Sequence, residues 1–339
     1  MTSPLTGGKE RRSSRSRIAV VAAALVFVAA AVGVAFVAVK AGREFARRLD
    51  SPTVTTAGRP ASPPVPSPDR RAALGPAVTI PPEDSVRLRL KEPPRSALLF
   101  DLEKGEVLWS RRPRAVVPIA SLTKIMSALI VVERTSARER VRVTRAALRY
   151  SGSGVGVLPR GRRVPVEALL HGMLLVSGND ATIALADHVA GSERAFVELM
   201  NRRAAELGLR CTHFRSAYGL EGSDRSCATD LAALTRLALE EPRIVRVARK
   251  REAAIPFPIA GGKLFLNSTN PLLRLRYRGT IGLKTGYTER AGRTYVGVVR
   301  RRGRTLGVVL LDSPNTAGQA RRIFDRAFGA GRGRARGRG

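Results

Sequence analysis

Cysteine and histidine are both scarce in this chain, and their positions exclude two common kinds of catalytic centre. The 339 residues contain two cysteines and three histidines. Neither Cys211 nor Cys227 is flanked by the histidines that a zinc site needs. His171, His188 and His213 stand at unrelated spacings, which match neither a metal site nor a Ser-His-Asp triad. We therefore expect no metal, and we expect two buried free thiols unless an oxidising compartment lets the cysteines pair.

Acidic residues are also few. The chain has 27 Asp and Glu against 60 Lys and Arg, a formal net charge of +33. Such a charge attracts nucleic acid, an acidic membrane surface or a polyanionic envelope polymer, because the attraction is electrostatic and does not read chemistry. Arginine is spread along the whole chain, so a solvated basic surface without a selected partner is an equal alternative.

Lysine is the rare cation: 8 of the 60 basic residues are Lys and 52 are Arg. One lysine ends the stretch Ser121-Leu-Thr-Lys124, where a spacing of three places both side chains on one helix face. A desolvated lysine whose pKa has fallen can accept the serine proton as a neutral amine. Arginine cannot, because it does not deprotonate in proteins. Taken alone, the pattern also fits an N-cap serine followed by a surface lysine.

The chain contains a single long apolar run. Residues 18–39 are 22 consecutive residues without a charge, or roughly 33 Å of helix. The run exceeds the core of a cleaved signal peptide and no persuasive cleavage site closes it, so we expect an uncleaved signal anchor. Five Lys or Arg precede the run and four follow it. The charge count therefore favours a cytoplasmic N-terminus only slightly.

Composition divides the rest of the chain. Residues 1–17 form a basic segment that we expect in the cytoplasm, and residues 40–94 form a Pro-rich linker, since frequent proline forbids helix and few large apolar residues are present. Residues 95–328 form the folded domain. Residues 329–339 are a Gly/Arg tail that is predicted to be disordered.

Strand patterns lie at both ends of the domain, with helical patterns between them. A hairpin is predicted at 96–112, strands at 279–286, 293–301 and 304–312, and a final helix near 316–328. Helices are predicted to begin near Ser121 and to span 165–176, 179–191, 192–209 and 229–241. Ser192 and Thr229 are the predicted N-caps, and Gly191 and Gly208 the predicted helix ends. A sheet built from both ends of the domain, with helices inserted, is an α+β layout.

Three short motifs follow one another in a fixed order. Ser121-x-x-Lys124 comes first, then Ser177-Gly178-Asn179, then Lys284-Thr285-Gly286, which is the motif set of penicillin-binding proteins and serine β-lactamases. The stretches around them, "VVPIASLTKIMSALIVVE", "LLHGMLLVSGNDATIALADHVAGSERAFVELMNRRAAELGL" and "NSTNPLLRLRYRGTIGLKTGYTERAG", closely resemble the D-alanyl-D-alanine carboxypeptidases, the low-molecular-mass penicillin-binding proteins of the S11 serine peptidase family. The resemblance covers roughly residues 95–328.

The resemblance implies a β-lactamase/DD-peptidase-like fold, in which helices flank an antiparallel sheet and an all-helical subdomain is inserted. It also implies roles for four catalytic residues. Ser121 would be the acylated nucleophile and Lys124 the base that activates it. Ser177 would relay a proton toward the leaving amine, and Asn179 would hold the substrate's peptide and Lys124.

Substrate binding is implied for the third motif. Lys284 and Thr285 would bind the terminal carboxylate of D-Ala-D-Ala, and Gly286 would let the substrate backbone pair closely with the strand. The backbone N–H groups of Ser121 and Tyr287 would form the oxyanion hole.

The reaction that the resemblance implies needs no cofactor. The serine attacks the bond between the two D-alanines of a peptidoglycan stem pentapeptide, D-alanine leaves, and water releases the shortened peptide. A β-lactam would acylate the same serine and stay. Because that substrate lies outside the cytoplasm, we expect a single-pass cell-membrane protein with an extracytoplasmic catalytic domain and no specific nucleic acid partner.

Alternatives remain at this point. A β-lactamase or a DD-endopeptidase would have the same fold, and Glu221 or Asp224 in "YGLEGSDRSCATD" is a conceivable deacylating base. Acidic residues in such a Gly/Ser loop are usually solvated turn formers. A different class is a non-catalytic, membrane-anchored basic protein that binds envelope polyanions. Some relatives carry a β-rich domain and an amphipathic helix after the peptidase domain, whereas this chain has the Gly/Arg tail, so anchoring is expected from residues 18–39.

Overall fold

The structure is a computed structural model that describes residues 77–220 and 224–335, with side chains up to residue 329. The predicted cytoplasmic segment, the predicted anchor at 18–39 and the linker up to residue 76 lie outside the described residues. Within the described part of the chain, no helix is both long and apolar enough to cross a membrane.

The elements follow one another in an order that places strands at both ends and helices in the middle. In chain order they are β1 (Ser96–Asp101), β2 (Val107–Arg111), β3 (Val117–Pro118), a 3₁₀ turn (Ala120–Thr123), α1 (Lys124–Arg134), β4 (Arg140–Arg142), α2 (Arg145–Leu148), β5 (Arg163–Pro165), α3 (Val166–Leu175), α4 (Asn179–Ala190), α5 (Glu193–Glu206), β6 (Arg225–Ser226), α6 (Ala228–Glu240), α7 (Pro242–Ala248), β7 (Glu252–Pro256), β8 (Lys263–Asn267), α8 (Pro271–Arg274), β9 (Thr280–Thr288), β10 (Gly292–Arg301), β11 (Arg304–Leu311) and α9 (Thr316–Ala335).

The central sheet joins the two ends of the domain. Its five strands run in the order β2-β1-β11-β10-β9. β1 pairs antiparallel with β11, so that Ser96 lies opposite Leu311 and Asp101 opposite Leu306. β9 is the edge strand and pairs only with β10 in this sheet. The expected α+β layout, with a sheet built from both chain ends and helices inserted, is confirmed.

Both faces of the sheet are covered, and each face has its own core. Leu98 and Val309 point to the core that contains the inserted helices. Leu99 and Val308, their neighbours along the strands, point to a second core that contains Phe324 of α9. Because successive side chains of a strand alternate between faces, these strands read as continuous apolar runs instead of an alternating pattern.

The predicted helix ends at Ser192 and Gly191 are confirmed, and the predicted N-cap at Thr229 is wrong. Ser192 caps α5, because its Oγ accepts a hydrogen bond from Ala195 N at 3.2 Å. Gly191 ends α4 in the left-handed region with φ of +81°. Thr229 is not an N-cap: α6 begins at Ala228 after Cys227. The N–H of Thr229 donates to the Pro113 carbonyl at 3.2 Å, a contact from a distant segment that local pattern cannot show.

The structure differs from the predicted boundaries of the linker at residue 94 and of the tail at residue 329. Residues 77–94 lie along the domain: Thr79 bridges to Glu106, and Val86 is buried, with its N–H donating to Leu108. The chain therefore joins the domain before the predicted boundary at 94. Helix α9 continues to Ala335, into the stretch predicted as disordered tail.

The two cysteines form a disulfide, so the expectation of free thiols is wrong. Cys211 and Cys227 are 16 residues apart, and their Cα atoms are 5.5 Å apart. An antiparallel bridge between His213 and Arg225 brings the two ends of the intervening segment together. The residues 211–227, which we call the bridged loop, thus start and finish at one place, a pairing that no local pattern in the sequence reveals.

Candidate active site

The serine of the first motif lies in a strained turn at the start of α1. Ser121 is in the 3₁₀ turn that precedes Lys124, and Ala120 before it has a φ of +49°. A non-glycine residue in this region of backbone conformation is uncommon and costs about 1–3 kcal/mol. Two threonine hydroxyls secure the turn: Thr294 Oγ1 of β10 donates to the Ile119 carbonyl at 3.1 Å, and Thr123 Oγ1 donates to the Ala120 carbonyl at 3.0 Å.

Lys124 is fully buried beside that serine. Its Nζ lies 3.0 Å from Ser121 Oγ, and it donates to Asn179 Oδ1 at 2.7 Å and to the Tyr218 carbonyl at 2.6 Å. Burial lowers the pKa of Lys124 well below its usual value, and the positive charge of Lys284 lowers this pKa further, against a smaller opposing effect of Asp224 and Asp180. An amine in this setting is disposed to be neutral, which is the form that can accept a proton.

The second motif lies opposite, between α3 and α4. Ser177 has a φ of +62°, so this turn is also strained. The Asn179 side chain is held at both ends: its oxygen accepts from Lys124, and its Nδ2 donates to the Ser151 carbonyl at 2.5 Å. Because both amide atoms have partners, the oxygen is directed toward the Lys124 amine.

The third motif lies on β9, the edge strand. Lys284 is buried, and its Nζ donates to Ser177 Oγ at 2.9 Å and to the Thr285 carbonyl at 2.7 Å. Burial lowers the pKa of Lys284 from 10.5 to about 7. The hydroxyl of Thr285 lies 2.8 Å from that of Thr269. The second and third motifs are therefore joined directly by the Lys284 to Ser177 hydrogen bond.

Glycine at 286 lets β9 approach the serine turn. A Cβ at Gly286 would lie 2.9 Å from Ser121 N, 3.1 Å from Ala120 Cβ and 2.5 Å from Thr294 Oγ1. Contacts under 3.0 Å are closer than Cβ atoms accept, so a side chain here would push strand and turn apart. The next residue, Tyr287, has an exposed ring, 64% accessible. The oxyanion-hole role of its backbone N–H stays a prediction.

The structure brings together the seven residues that the three motifs contribute to the predicted site: Ser121, Lys124, Ser177, Asn179, Lys284, Thr285 and Gly286. It also adds a backbone carbonyl that the sequence reasoning missed. The Tyr218 carbonyl accepts hydrogen bonds from Lys124 Nζ and, at 3.3 Å, from Ser121 Oγ. Gly219 has a φ of +81°, and a Cβ there would lie 2.0 Å from the Ala120 carbonyl oxygen. A backbone carbonyl has no sequence signature, and only the glycine hinted at a close approach.

Asp224, one of the two acids considered as a deacylating base, has a different position. It is 1% exposed. Its Oδ1 accepts from the N–H groups of Arg215 and Ser216 at 2.6 and 3.0 Å, and its Oδ2 accepts from Thr123 Oγ1 and Ser216 Oγ at 2.9 and 2.8 Å. With four donors bound, this carboxylate ties the bridged loop to the serine turn and has little capacity left for a substrate water. Glu221 lies outside the described residues.

The three histidines contact other parts of the domain. His171 Nδ1 lies 2.7 Å from the Glu167 carbonyl, His188 Nε2 lies 3.0 Å from Glu139, and the backbone of His213 pairs with Arg225. Lys250 Nζ lies 3.3 Å from His171 Nε2. Among the described residues, no histidine is hydrogen-bonded to a residue of the three motifs.

Comparison with known proteins identifies the family. The sequence profile of the D-alanyl-D-alanine carboxypeptidase family matches residues 90–315. The D-alanyl-D-alanine carboxypeptidase DacB2 of Mycobacterium tuberculosis is 36% identical over 245 residues, which cover 70% of this chain and 82% of that protein. A D-alanyl-D-alanine endopeptidase of Pseudomonas aeruginosa is 30% identical over 236 residues, 69% of this chain and 76% of that protein.

A solved structure agrees with the sequence comparison. The crystal structure of a D-alanyl-D-alanine carboxypeptidase from Mycobacterium tuberculosis H37Rv superposes with a TM-score of 0.67 at 32% identity, covering 74% of this chain and 96% of that one. The chain belongs to the D-alanyl-D-alanine carboxypeptidase family of serine peptidases, and it is a hydrolase of that kind. The family and fold that the three motifs predicted are confirmed.

Proposed function

We propose that this protein is a serine-type D-alanyl-D-alanine carboxypeptidase that removes the terminal D-alanine of peptidoglycan stem pentapeptides through an acyl-enzyme on Ser121. The observation that carries the proposal is the 3.0 Å hydrogen bond between Ser121 Oγ and the buried Lys124 Nζ, an amine whose pKa is well below its usual value. Nucleophile and base are thus in contact, and the lowered pKa favours the neutral amine, the form that accepts the serine proton.

Acylation uses the first two motifs. Lys124 takes the proton from Ser121 Oγ, which attacks the carbonyl between the two D-alanines. The oxyanion that forms lies near the backbone N–H groups of Ser121 and Tyr287, and losing one such donor typically costs about 10²–10³ in rate. Ser177, which Lys284 holds at 2.9 Å, relays the proton that Lys124 took from Ser121 to the departing D-alanine amine, so that Ser177 and Lys124 both return to their starting forms. Asn179 orients Lys124 through the 2.7 Å hydrogen bond.

Substrate recognition uses β9. Lys284 and Thr285 bind the terminal carboxylate, and the backbone on either side of Gly286 pairs with the substrate as an added strand. The carboxylate favours the charged form of Lys284, whose pKa of about 7 in the free protein leaves both forms populated near neutral pH. Water then releases the shortened peptide. Asp224, one of the two carboxylates considered as a deacylating base, is occupied by four donors, which supports a slow release of β-lactam adducts.

The test is mass spectrometry of the purified protein after incubation with a benzylpenicillin, together with D-alanine release from a stem pentapeptide. We expect one adduct, mapped to Ser121, and a stable acyl-enzyme. Ser121→Ala should abolish both the adduct and D-alanine release with an unchanged circular dichroism spectrum. Ser85→Ala, at an exposed serine, is the matched control and should behave as the wild type.

Three outcomes contradict the proposal. Rapid turnover of the penicillin would indicate a β-lactamase. Cleavage of cross-linked dimers with no release of D-alanine from pentapeptide would indicate an endopeptidase, the activity in the name of the Pseudomonas aeruginosa relative. An adduct on another serine would remove Ser121 from the mechanism.

We also propose that residues 18–39 anchor the protein in the cell membrane with the catalytic domain outside. The support is the run of 22 uncharged residues, long enough at roughly 33 Å to span a bilayer, and a substrate that lies outside the cytoplasm. Full-length protein should sediment with membranes and resist carbonate extraction, whereas a variant lacking residues 18–39 should not. Protease added to spheroplasts should degrade the domain; its protection there would contradict the orientation.

A further inference from the structure

Six of the exposed arginines around α9 lie on the side of the sheet that does not hold the active site. Arg321, Arg322 and Arg326 belong to α9, while Arg87 precedes the sheet and Arg278 and Arg302 flank β9 and β10. We call these six residues the arginine face. Helix α9 packs on the core that contains Phe324, and the catalytic helix α1 packs on the other core through Ile125 and Leu129. The face and the catalytic cleft thus belong to opposite layers of the domain.

The arginine face contains two neighbouring concavities. One has a volume of about 660 Å³ and is bordered by Arg278, Arg302 and Phe328. The other has a volume of about 640 Å³ and is bordered by Arg87, Arg322 and Arg326. Both are also lined by Asp325. Since Asp325 borders both, the two concavities meet at this residue of α9.

Negative charge is nearly absent from this groove. Asp325 is the one acidic residue that borders either concavity. Its Oδ1 accepts a hydrogen bond from Tyr277 OH at 2.6 Å and lies 3.9 Å from Arg301. None of the six arginines has a salt bridge with another described residue at the 4.0 Å limit. Clustered cations without counter-charges repel one another, so an anion bound between them reduces this electrostatic repulsion.

Side-chain contacts hold the backbone segments that line the groove. The Arg301 guanidinium stacks 4.1 Å from the Tyr277 ring centre, and its Nε donates to the Arg278 carbonyl at 2.7 Å. Arg326 Nε donates to the Arg87 carbonyl at 3.2 Å, which ties the incoming chain to α9. The backbones that present the arginines therefore hold their relative positions before any ligand binds, and such preorganisation lowers the entropic cost of binding.

We propose that the arginine face is a binding site for a linear phosphate-bearing polyanion that lies along α9. Guanidinium groups match phosphate geometry with paired hydrogen bonds, so arginines at these positions suit a phosphate-bearing ligand. A groove that continues across two concavities suits an extended chain, whereas a bilayer presents a flat surface. Because the site lies on the layer opposite the catalytic cleft, the polymer holds the enzyme in an anionic envelope while the cleft stays open to substrate.

The test compares two variants that lose the same charge. The face variant replaces Arg87, Arg278, Arg321 and Arg322 with Gln; the control variant replaces Arg138, Arg160, Arg202 and Arg210 with Gln, four exposed arginines elsewhere on the domain. Affinity of the full-length protein in a neutral detergent for long-chain inorganic polyphosphate is measured between low and physiological salt. We expect the face variant to bind about tenfold or more weakly and its salt slope to fall by roughly 3, as for four lost phosphate contacts.

The control variant should bind as the wild type within about twofold, since its four arginines lie outside the groove. Equal weakening of both variants would overturn the proposal, because the attraction would then be diffuse. Unchanged polyphosphate binding by the face variant with reduced binding to micelles that contain phosphatidylglycerol would also overturn it, in favour of a membrane-facing surface. Penicillin acylation rates and melting temperatures of both variants should match the wild type, which separates this site from the catalytic one.

Discussion

At the scale of single residues, the choice of lysine over arginine follows from burial. Lys124 and Lys284 are both nearly inaccessible, and burial lowers the pKa of each. An amine tolerates burial by losing its proton, and the neutral form is then available as a base. Arginine has no such option, and on this protein it occupies the exposed positions of the arginine face.

Lys124→Arg should therefore abolish the chemistry without removing the side chain's bulk. We expect the acylation rate by a fluorescent penicillin to fall by about 10²–10⁴, the usual contribution of a general base. In the wild type the same rate should fall as the pH decreases through the lowered pKa of Lys124, because protonation removes the base. Lys263→Arg, at an exposed lysine, is the control. A Lys124→Arg protein that folds, as judged by near-UV circular dichroism, and acylates within a few-fold of the wild type would refute the assignment.

At the scale of elements, the bridged loop is the piece that completes the cleft. The Cys211 to Cys227 disulfide closes it, and Asp224 ties it to the serine turn. Its Tyr218 carbonyl then contacts Lys124, and Gly219 contacts the Ala120 carbonyl. Loop, turn and the edge strand β9 meet at Ser121, so the position of each element limits the other two.

Comparing Gly219→Ala with Gly191→Ala distinguishes the effect of the contact between the bridged loop and the serine turn from the effect of backbone strain. Both glycines have a φ of +81°, but a Cβ at Gly191 meets nothing within 4 Å, while one at Gly219 meets the Ala120 carbonyl oxygen. Gly191→Ala should cost about 1–2 kcal/mol from the left-handed conformation alone and leave acylation unchanged. Gly219→Ala should cost about 1–3 kcal/mol more and slow acylation, as measured by urea unfolding and penicillin labelling. Equal losses of stability with equal acylation rates would show that the loop does not position the serine turn.

At the scale of the whole molecule, a buried neutral amine makes the stability depend on pH. In the folded protein the pKa of Lys284 is about 7, against an ordinary 10.5. Between these values the unfolded chain binds a proton that the folded protein does not. Stability therefore rises with pH across this window, and it is lost as the pH falls toward the folded pKa.

Lys284→Met should flatten this dependence. Methionine fills similar space and does not titrate, so the slope of the unfolding free energy against pH between about 7 and 10 should decrease by up to about 1.4 kcal/mol per pH unit. The measurement is urea unfolding at a series of pH values. Lys263→Met removes a lysine that is exposed, and its slope should equal that of the wild type. An unchanged slope in Lys284→Met would mean that Lys284 keeps its proton in the folded state.

Much of this protein follows from local patterns in its sequence. The order of three motifs identified the family, and turn residues, short apolar runs and helical periodicity located the hairpin, the strand β9 and the long helices, because these signals depend on residues near one another in the chain. Tertiary structure alone decided the disulfide, the end of the linker before residue 94, the four donors on Asp224 and the Tyr218 carbonyl that holds Lys124. Each depends on segments far apart in sequence meeting in space, and a backbone carbonyl or a buried amine acquires its properties only from the neighbours that folding brings to it.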